Sequence, residues 1–176
     1  MKGFHGTTIT GIARRANVSK QLISHHFGTK DALFHTVHEE RYRSSIPLSE
    51  ILPDDPRHLI AARFRKRAGD VDYIRFLVWE AVSAGNRTTP GERSRSKSAL
   101  EYGEAIRQMQ ENGQLPKEFD HRLIQLAVLS LCTYPIAFRR ATKIVTGRDS
   151  SDPEFLHDWA DFLEKIGEKL FSMPGD

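Results

Sequence analysis

The stretch "GIARRANVSKQLISHHFGTK", residues 11–30, predicts two short helices joined by a tight turn. Thr7 or Thr8 can cap the first helix and Ser19 the second, because a hydroxyl oxygen accepts a bond from an early helical N–H. Asn17 lies where the chain turns, and asparagine is among the few residues that tolerate a positive φ. Two helices joined in this way form a helix-turn-helix. The helices can be short because the second one only has to enter a DNA major groove.

The side chains of the two helices divide into an inner and an outer set. The apolar residues recur at helical spacing: Ile9, Ile12, Ala13 and Ala16 in the first helix, and Val18, Leu22, Ile23 and Phe27 around the second. Lysine can donate to guanine and glutamine can pair with adenine, so Lys20 and Gln21 are candidates to read bases. Thr8, His25 and Lys30 are placed to meet phosphates. The predicted DNA-binding residues are Thr8, Ser19, Lys20, Gln21, Ser24, His25 and Lys30.

Positive charge is concentrated at the start of the chain. Residues 1–43 hold seven basic and three acidic residues, whereas residues 44–176 hold 19 basic and 20 acidic ones. Five of the eight histidines also lie in residues 1–43. A basic head on a nearly neutral body suits a module that binds a polyanion such as DNA, although charge alone does not exclude an ordinary solvated surface.

The rest of the chain predicts an all-α fold, because nearly every segment follows the helical period and no strand pattern appears. Turn residues divide it into about eight helices. The predicted breaks are Gly6, 17–19, 28–29, 47–56, 69–70, 85–91, 112–116 and 146–153. We expect a helix-turn-helix domain with its linker helix in residues 1–45. A helical bundle for ligand binding and dimerisation then occupies residues 46–176.

The last two helices predict a dimer interface. Residues 123–138 are apolar nearly all round, which is typical of a helix buried on two sides. The final helix, for which Asp152 is a candidate N-cap and Pro153 fits the first position, carries a broad apolar stripe. A chain of 176 residues has little to cover both sides, so a second copy completing a four-helix bundle is favoured. A single central helix in a monomer is the alternative.

The aromatic residues of the middle helices form either ordinary core or an effector pocket. A pocket between helices would be apolar, with a few polar groups such as Arg75 or Glu80 fixing the ligand. The predicted ligand-binding residues are Phe64, Tyr73, Phe76, Trp79 and Tyr102. The ligand itself is not predicted.

Composition and motifs argue against several other classes of protein. A single cysteine, Cys132, excludes a disulfide framework within the chain and is typical of a reducing compartment. No apolar segment opens the chain as a signal peptide would, and residues 123–138 are too short to span a membrane, so we expect a soluble cytoplasmic protein. His35 and His38 can share a helix face, but no further ligands complete a metal set. We therefore expect no cofactor, no metal site and no enzymatic activity.

The opening segment resembles the DNA-binding head of the tetracycline-repressor (TetR) family. The resemblance rests on Thr7-Thr8-Ile9-x-x-Ile12-Ala13-x-x-Ala16-Asn17-Val18-Ser19 and, most specifically, on "HHFGTKDALF" at residues 25–34. The helical body and its closing pair of helices also resemble the ligand-binding and dimerisation domain of that family. The resemblance implies a homodimeric repressor that binds a palindromic operator and is released by a small-molecule effector.

The chain departs from the family pattern at three places. Ser24 stands where the family usually has a tyrosine that touches phosphate, and Asn17 replaces the usual glycine. The third departure concerns the complete helix that the family has before this motif, which the sequence before Thr7 does not supply. Without it, Ile12, Leu22 and Phe27 lose their cover, at a cost of about 1.5–3 kcal/mol for each side chain. We therefore expect either that the natural protein starts upstream of Met1, or that this version has a loosened head and poor operator binding.

There are three alternatives to a TetR-like repressor, and the sequence does not support them equally. The first is a helical, small-molecule-binding dimer whose DNA binding is impaired because the first helix is absent. A lac-repressor-type helix-turn-helix protein would need a long α/β domain, which a chain of 176 residues without strand patterns does not support. A metal-dependent enzyme using the histidines would need stoichiometric metal in the purified protein.

Overall fold

The computed structural model describes residues 6–43, 52–83, 89 and 92–171. These residues form nine α-helices and a short 3-10 turn, Pro56–His58, with no strand among them. The helices are α1 Ile9–Ala16, α2 Lys20–Phe27, α3 Lys30–Arg43, α4 Leu59–Ala68, α5 Val71–Ser83, α6 Glu92–Glu111, α7 His121–Ala137, α8 Arg139–Thr146 and α9 Pro153–Leu170. The prediction of an all-α fold is confirmed.

The chain forms two compact units. The first comprises residues 1–45 with 88–95, and the second comprises residues 46–87 with 96–176. We call the first unit the head, which holds α1, α2 and α3, and the second the body, which holds the other helices apart from the start of α6. The domain boundary expected after residue 45 falls among residues 44–51, which lie outside the described part, and stays a prediction.

The body is built around α4, which packs against both α7 and α9. Its inward face contributes Leu59, Ile60 and Phe64, each at most 2% exposed. α6 adds Ile106 and α9 adds Leu163, and both side chains are fully buried. Each such side chain removed from water stabilises the fold by about 1.5–3 kcal/mol, so this apolar contact fixes where α4 lies in the body.

α9 contacts the 3-10 turn Pro56–His58 so closely that only glycine fits at position 167. A Cβ atom built on Gly167 would lie 1.9 Å from the carbonyl oxygen of Arg57. Beside this backbone contact, the His58 ring Nδ1 meets the Glu164 carboxylate. The glycine therefore sets the approach of α9 to the chain that leads into α4.

The break between α7 and α8 at Phe138 is absent from the sequence-based prediction, which continues one helical segment up to residue 146. Pro135 has no N–H, so the Leu131 carbonyl loses its usual helical donor. The indole N–H of Trp159 donates to that carbonyl instead, over 3.3 Å. Thr142 Oγ1 lies within hydrogen-bond distance of the Pro135 and Phe138 carbonyls, at 3.2 and 3.1 Å. With these contacts in place, α8 leaves α7 at an angle of 89°.

Cys132 lies in the core on α7 and is 0% exposed. Its thiol donates to the Ile60 carbonyl oxygen over 3.4 Å. Burial raises the pKa of this thiol to about 12, although the positive charges of Arg63 and Arg67 act in the opposite direction. The thiol is therefore both inaccessible and protonated at neutral pH.

Replacing Gly167 with alanine is expected to destabilise the body strongly. The new methyl group would meet a backbone oxygen rather than a movable side chain, and overpacking of this kind costs about 1–3 kcal/mol or more. Gly69→Ala is the matched control, because a Cβ atom there lies an ordinary 3.5 Å from the Lys66 carbonyl oxygen. Urea unfolding of both variants would test this, and a Gly167→Ala protein as stable as the parent would contradict the close contact.

Cys132 is expected to resist alkylation by iodoacetamide until the body unfolds. Only the thiolate reacts readily, and a buried thiol with a raised pKa supplies almost none. Because the chain has a single cysteine, mass spectrometry reports this site alone. The same protein in concentrated urea at the same pH provides the reactive control. Equal rates of alkylation in native and unfolded protein would show that the thiol is not buried.

Candidate DNA-binding helix and effector site

α1 and α2 each begin with a side-chain cap of the predicted kind. Thr8 Oγ1 accepts a hydrogen bond from the N–H of Gly11 at 3.1 Å. Ser19 Oγ accepts one from the N–H of Leu22 at 3.0 Å. Caps of this type contribute about 0.5–2 kcal/mol each. For helices of eight residues, this contribution helps to decide where each helix starts.

Asn17 makes the turn between α1 and α2 in the left-handed region, with φ 55° and ψ 42°. Among the residues that the structure describes, it is the one non-glycine residue with a positive φ. Its own N–H closes α1 on the carbonyls of Ala13 and Arg14, and the N–H of Val18 donates to Ala13 at 3.0 Å. The predicted positive φ at Asn17 is confirmed, and it turns the chain directly into the second helix.

The described part of the head buries few apolar side chains. Ala13 and Ile23 are 3% and 6% exposed, while Ile12 and Phe27 are half-buried. Leu22 and Val18, which the apolar pattern assigns to the inner face, are 45% and 38% exposed, so the described residues do not cover them. The expectation that an upstream helix covers this surface concerns chain outside the described residues, and it stays a prediction.

The seven predicted DNA-binding residues all lie in the head, and six of them are exposed. Positions 20, 21, 24 and 25 fall on one side of α2, within about 140° of arc at 3.6 residues per turn. This outer edge of α2 consists of Lys20, Gln21, Ser24 and His25. The Thr8 and Ser19 oxygens accept the helix caps, but their hydroxyl hydrogens can still donate to a phosphate oxygen.

Lys30 differs from the other six because it is half-buried and its side chain contacts a part of the head that is distant in sequence. Its Nζ donates to the carbonyl oxygen of Thr7 over 3.1 Å, which joins positions 23 residues apart. The bond links the start of α3 to the chain just before α1. Lys30 therefore helps to hold the three helices together, and its predicted phosphate contact stays a prediction.

Two further exposed basic residues of the head are candidates for phosphate contacts. Arg14 and Arg15 are exposed in the last turn of α1, immediately before the Asn17 turn. Exposed guanidinium groups at this position suit phosphate contacts. The sequence carries a signal for them, a dibasic pair next to the turn of a helix-turn-helix, but a count of charges does not distinguish this pair from other basic residues of the head.

The five predicted effector residues come from three helices: Phe64 on α4, Tyr73, Phe76 and Trp79 on α5, and Tyr102 on α6. Phe64, Phe76 and Tyr102 are buried as ordinary core residues are, and the other two are half-buried. Phe76 and Trp79 stack with their ring centroids 6.1 Å apart. Whether these side chains line a pocket stays a prediction.

Arginines of α4 cover two of these rings, although the sequence pattern does not single them out. The guanidinium carbon of Arg63 lies 4.4 Å from the centroid of Tyr102, and that of Arg67 lies 4.2 Å from the centroid of Tyr73. Burial lowers the pKa of Arg63. Burial also raises the pKa of Tyr102 to about 12, which the nearby Arg63 charge opposes. In sequence the two arginines belong to the basic run at 63–67, which looks like a solvated helix face.

Within the single chain, α7 is buried on one side only, so the cover that the sequence pattern predicts for its second side stays a prediction. Its buried side consists of Ile124, Val128, Cys132, Pro135 and Ile136. Leu123, Leu126, Tyr134 and Phe138 are each more than half exposed. On α9, Phe162 and Leu170 are 48% and 55% exposed. We call these six residues the exposed apolar set.

Neither a single spanning helix nor a metal cluster occurs in the described part of the chain. No one helix there is both long and apolar enough to cross a membrane, while α7 and α8 together pass the length and composition test as a bent pair. No group of three His, Cys, Asp or Glu side chains within the described ranges is arranged to hold a metal ion. The side chain of His38 lies outside those ranges, so the pair with His35 is not tested.

Both units match known families. Residues 1–37 match the family described as "Bacterial regulatory proteins, tetR family". Residues 54–166 match "Tetracyclin repressor-like, C-terminal domain". Head and body thus point to the same class of regulator independently.

Comparisons with individual proteins agree. The chain is 24% identical over 156 residues to the HTH-type transcriptional repressor SCO4008 of Streptomyces coelicolor, covering 89% of this chain and 81% of that protein. It is 34% identical over 82 residues to the HTH-type transcriptional regulator BetI of Burkholderia mallei, covering 47% of this chain and 35% of BetI. The fold matches the TetR family regulator PfmR of Thermus thermophilus with a TM-score of 0.66 at 17% identity, over 99% of this chain and 93% of PfmR. The chain therefore belongs to the TetR family, as a transcriptional regulator with a helix-turn-helix DNA-binding domain.

Proposed function

We propose that this regulator is a repressor that binds a palindromic operator as a homodimer and leaves it when a small-molecule effector binds the body. The observation that carries the proposal is the exposed polar edge of α2, which follows the left-handed turn at Asn17. Recognition helices present such an edge to the major groove. Similarity to the repressor SCO4008 supports repression. We also propose that the protein acts in the cytoplasm and catalyses no reaction.

The residues of the head divide into base-reading and phosphate-binding groups. Lys20 and Gln21, at the exposed start of α2, read base edges, because lysine donates to guanine and glutamine pairs with adenine. The phosphate-binding group makes contacts that position the head without reading sequence. That group consists of Thr8, Ser19, Ser24, His25 and Lys30.

The exposed apolar set, which comes from α7, its C-cap Phe138 and α9, forms the dimer interface in this proposal. Leaving such side chains in water forgoes about 1.5–3 kcal/mol for each one. A second copy related by a two-fold axis would cover them with the same residues. Trp159 supports a joint surface, because its indole bonds to α7 and its ring lies 5.2 Å from that of Phe162. Such a dimer suits two half-sites about one helical turn, or about 34–36 Å, apart.

Release from DNA follows from different affinities of the effector for two states. An effector that binds the body better when the two heads are separated for DNA release would shift the population toward that state. The predicted effector residues Phe64, Tyr73, Phe76, Trp79 and Tyr102 lie in α4, α5 and α6 of the body. We therefore propose that the effector binds among these three helices.

A second candidate function is a helical, small-molecule-binding dimer with impaired DNA binding. The exposure of Leu22 at 45% and Val18 at 38% favours it, because few buried side chains hold the described part of the head together. A gel shift with the DNA immediately upstream of the protein's own gene discriminates the two functions. A retarded band supports the repressor, and free DNA at high protein concentration supports the alternative.

Changes at the outer edge of α2 are expected to relax sequence preference. Lys20→Ala and Gln21→Ala each remove a base contact of about 1–3 kcal/mol, so binding to the upstream DNA falls while binding to a random duplex changes little. Lys165→Ala, an exposed lysine of α9, is the matched control. Fluorescence anisotropy over a salt series measures both affinities. Equal losses on specific and random duplexes would contradict base reading by α2.

Lys30→Ala is expected to weaken binding to all sequences and to reduce the salt slope by about one unit, because a phosphate contact carries no sequence information. The bond from Lys30 to Thr7 means that this variant can also loosen the head. Thermal melting of the same sample separates the two effects. An unchanged salt slope in a protein that still melts normally would remove Lys30 from the phosphate contacts.

Charge placed in the exposed apolar set is expected to break the dimer. Leu126→Glu and Phe162→Glu each place a carboxylate where the proposal buries apolar surface, so the sedimenting mass should halve and operator affinity should fall. Val82→Glu is the control, because Val82 is also exposed, at 83%, but lies on α5. A parent protein that sediments as a monomer, or variants that remain dimeric, would rule out this interface.

A further inference from the structure

Arg63 and Arg67 are half-buried cations with no carboxylate partner in the described part of the chain. Arg65, which lies between them on α4, shows the usual arrangement, because its Nη1 is 3.1 Å from the carboxylate of Glu164. Positions 63 and 67 are one helical turn apart, so both guanidinium groups lie on one face of α4 and repel each other. This face carries two like charges that nothing described nearby neutralises.

Tyr102 adds an unsatisfied polar group at the same place. Its side chain is 1% exposed, and no described residue forms a hydrogen bond with its hydroxyl. The hydroxyl stands at the edge of the ring that Arg63 covers. The Nε atom of Arg63 is also buried without an acceptor among the described groups. A neutral donor and a charged donor are therefore adjacent, and both lack the acceptor that buried donors need.

Ring stacking alone does not account for this arrangement. The face of a tyrosine attracts a cation, but it supplies no oxygen to accept the N–H groups of Arg63. Burying two repelling guanidinium groups works against stability unless an anion joins them. Departures of this kind from ordinary packing are expected where a protein binds a ligand. Tyr73 and Leu77, one turn apart on α5, offer half-buried apolar surface against the same core.

We propose that Arg63, Arg67 and the Tyr102 hydroxyl bind the carboxylate of an amphipathic organic acid. The planar guanidinium fork matches a carboxylate, and the tyrosine hydroxyl adds a third kind of donor. The apolar part of the acid packs along α5 beside Tyr73. This inference rests on the proposed function, because it names the chemical class of the effector that the body binds.

Calorimetric titration of the full chain tests the site. The probes are octanoate and naphthoate, with octanol and naphthalenemethanol as neutral compounds of the same shape. We expect at least one acid to bind about tenfold or more tightly than its alcohol. Arg63→Gln and Arg67→Gln should each weaken that binding about tenfold. Arg140→Gln, an exposed arginine of α8, is the matched control and should bind as the parent does.

Tyr102→Phe separates a ligand contact from a packing role. Because the hydroxyl has no described partner, its removal should leave the melting temperature of the ligand-free protein unchanged or higher, while acid binding weakens about threefold to tenfold. A lower melting temperature with full acid binding would show that the hydroxyl serves the fold and not the ligand. The site is overturned if neither acid binds, if alcohol and acid bind equally, or if Arg63→Gln binds undiminished.

DNA anisotropy in the presence of the bound acid keeps the two proposals distinguishable. An acid that binds through Arg63 but leaves the protein on its DNA would refute effector-driven release and leave the anion site standing. DNA binding that persists while no acid binds would refute the site and leave the DNA-binding proposal standing. Release of DNA by the acid in the parent, and not in Arg63→Gln, would support both.

Discussion

The left-handed turn at Asn17 is the constraint on which the head depends. α1 and α2 have eight residues each, a length at which isolated helices are unstable in water. In the head both helices are stabilised by their surroundings. The turn closes α1, and Thr8 and Ser19 cap the starts of α1 and α2. Ala13 and Ile23 are buried within the head. The direction of α2, and hence the side chains it offers to DNA, follows from this turn.

In the body, α4 has the organising role that the turn has in the head. Ile60 and Phe64 bury one face of it in the core, while Arg63 and Arg67 on the neighbouring face cover aromatic rings of α5 and α6. One helix therefore carries both the packing that stabilises the body and the charges proposed to recognise a ligand. A ligand that neutralised those charges would act directly on the element around which the body is built.

The sequence predicts features that depend on a residue and its immediate neighbours. It does not predict contacts between residues that are distant along the chain. The cap at Ser19 and the positive φ at Asn17 depend on residue type and immediate neighbours, so the sequence predicted them. The exposure of Leu22 depends on whether other residues cover it, and helical periodicity does not predict that. The break at Phe138 depends on a bond from Trp159 to a distant carbonyl. The stacking of Arg63 on Tyr102 joins positions 39 residues apart, which no local pattern reveals.

The most direct test of the account is dimethyl sulfate footprinting of the DNA upstream of the protein's own gene. This reagent methylates guanine N7 in the major groove and adenine N3 in the minor groove, so it reports which groove a protein occupies. The account predicts protection of guanine N7 in two patches about 10 base pairs apart, or a multiple of that spacing, on one face of the duplex. Protein that binds this DNA while leaving every guanine N7 reactive would contradict the claim that α2 enters the major groove.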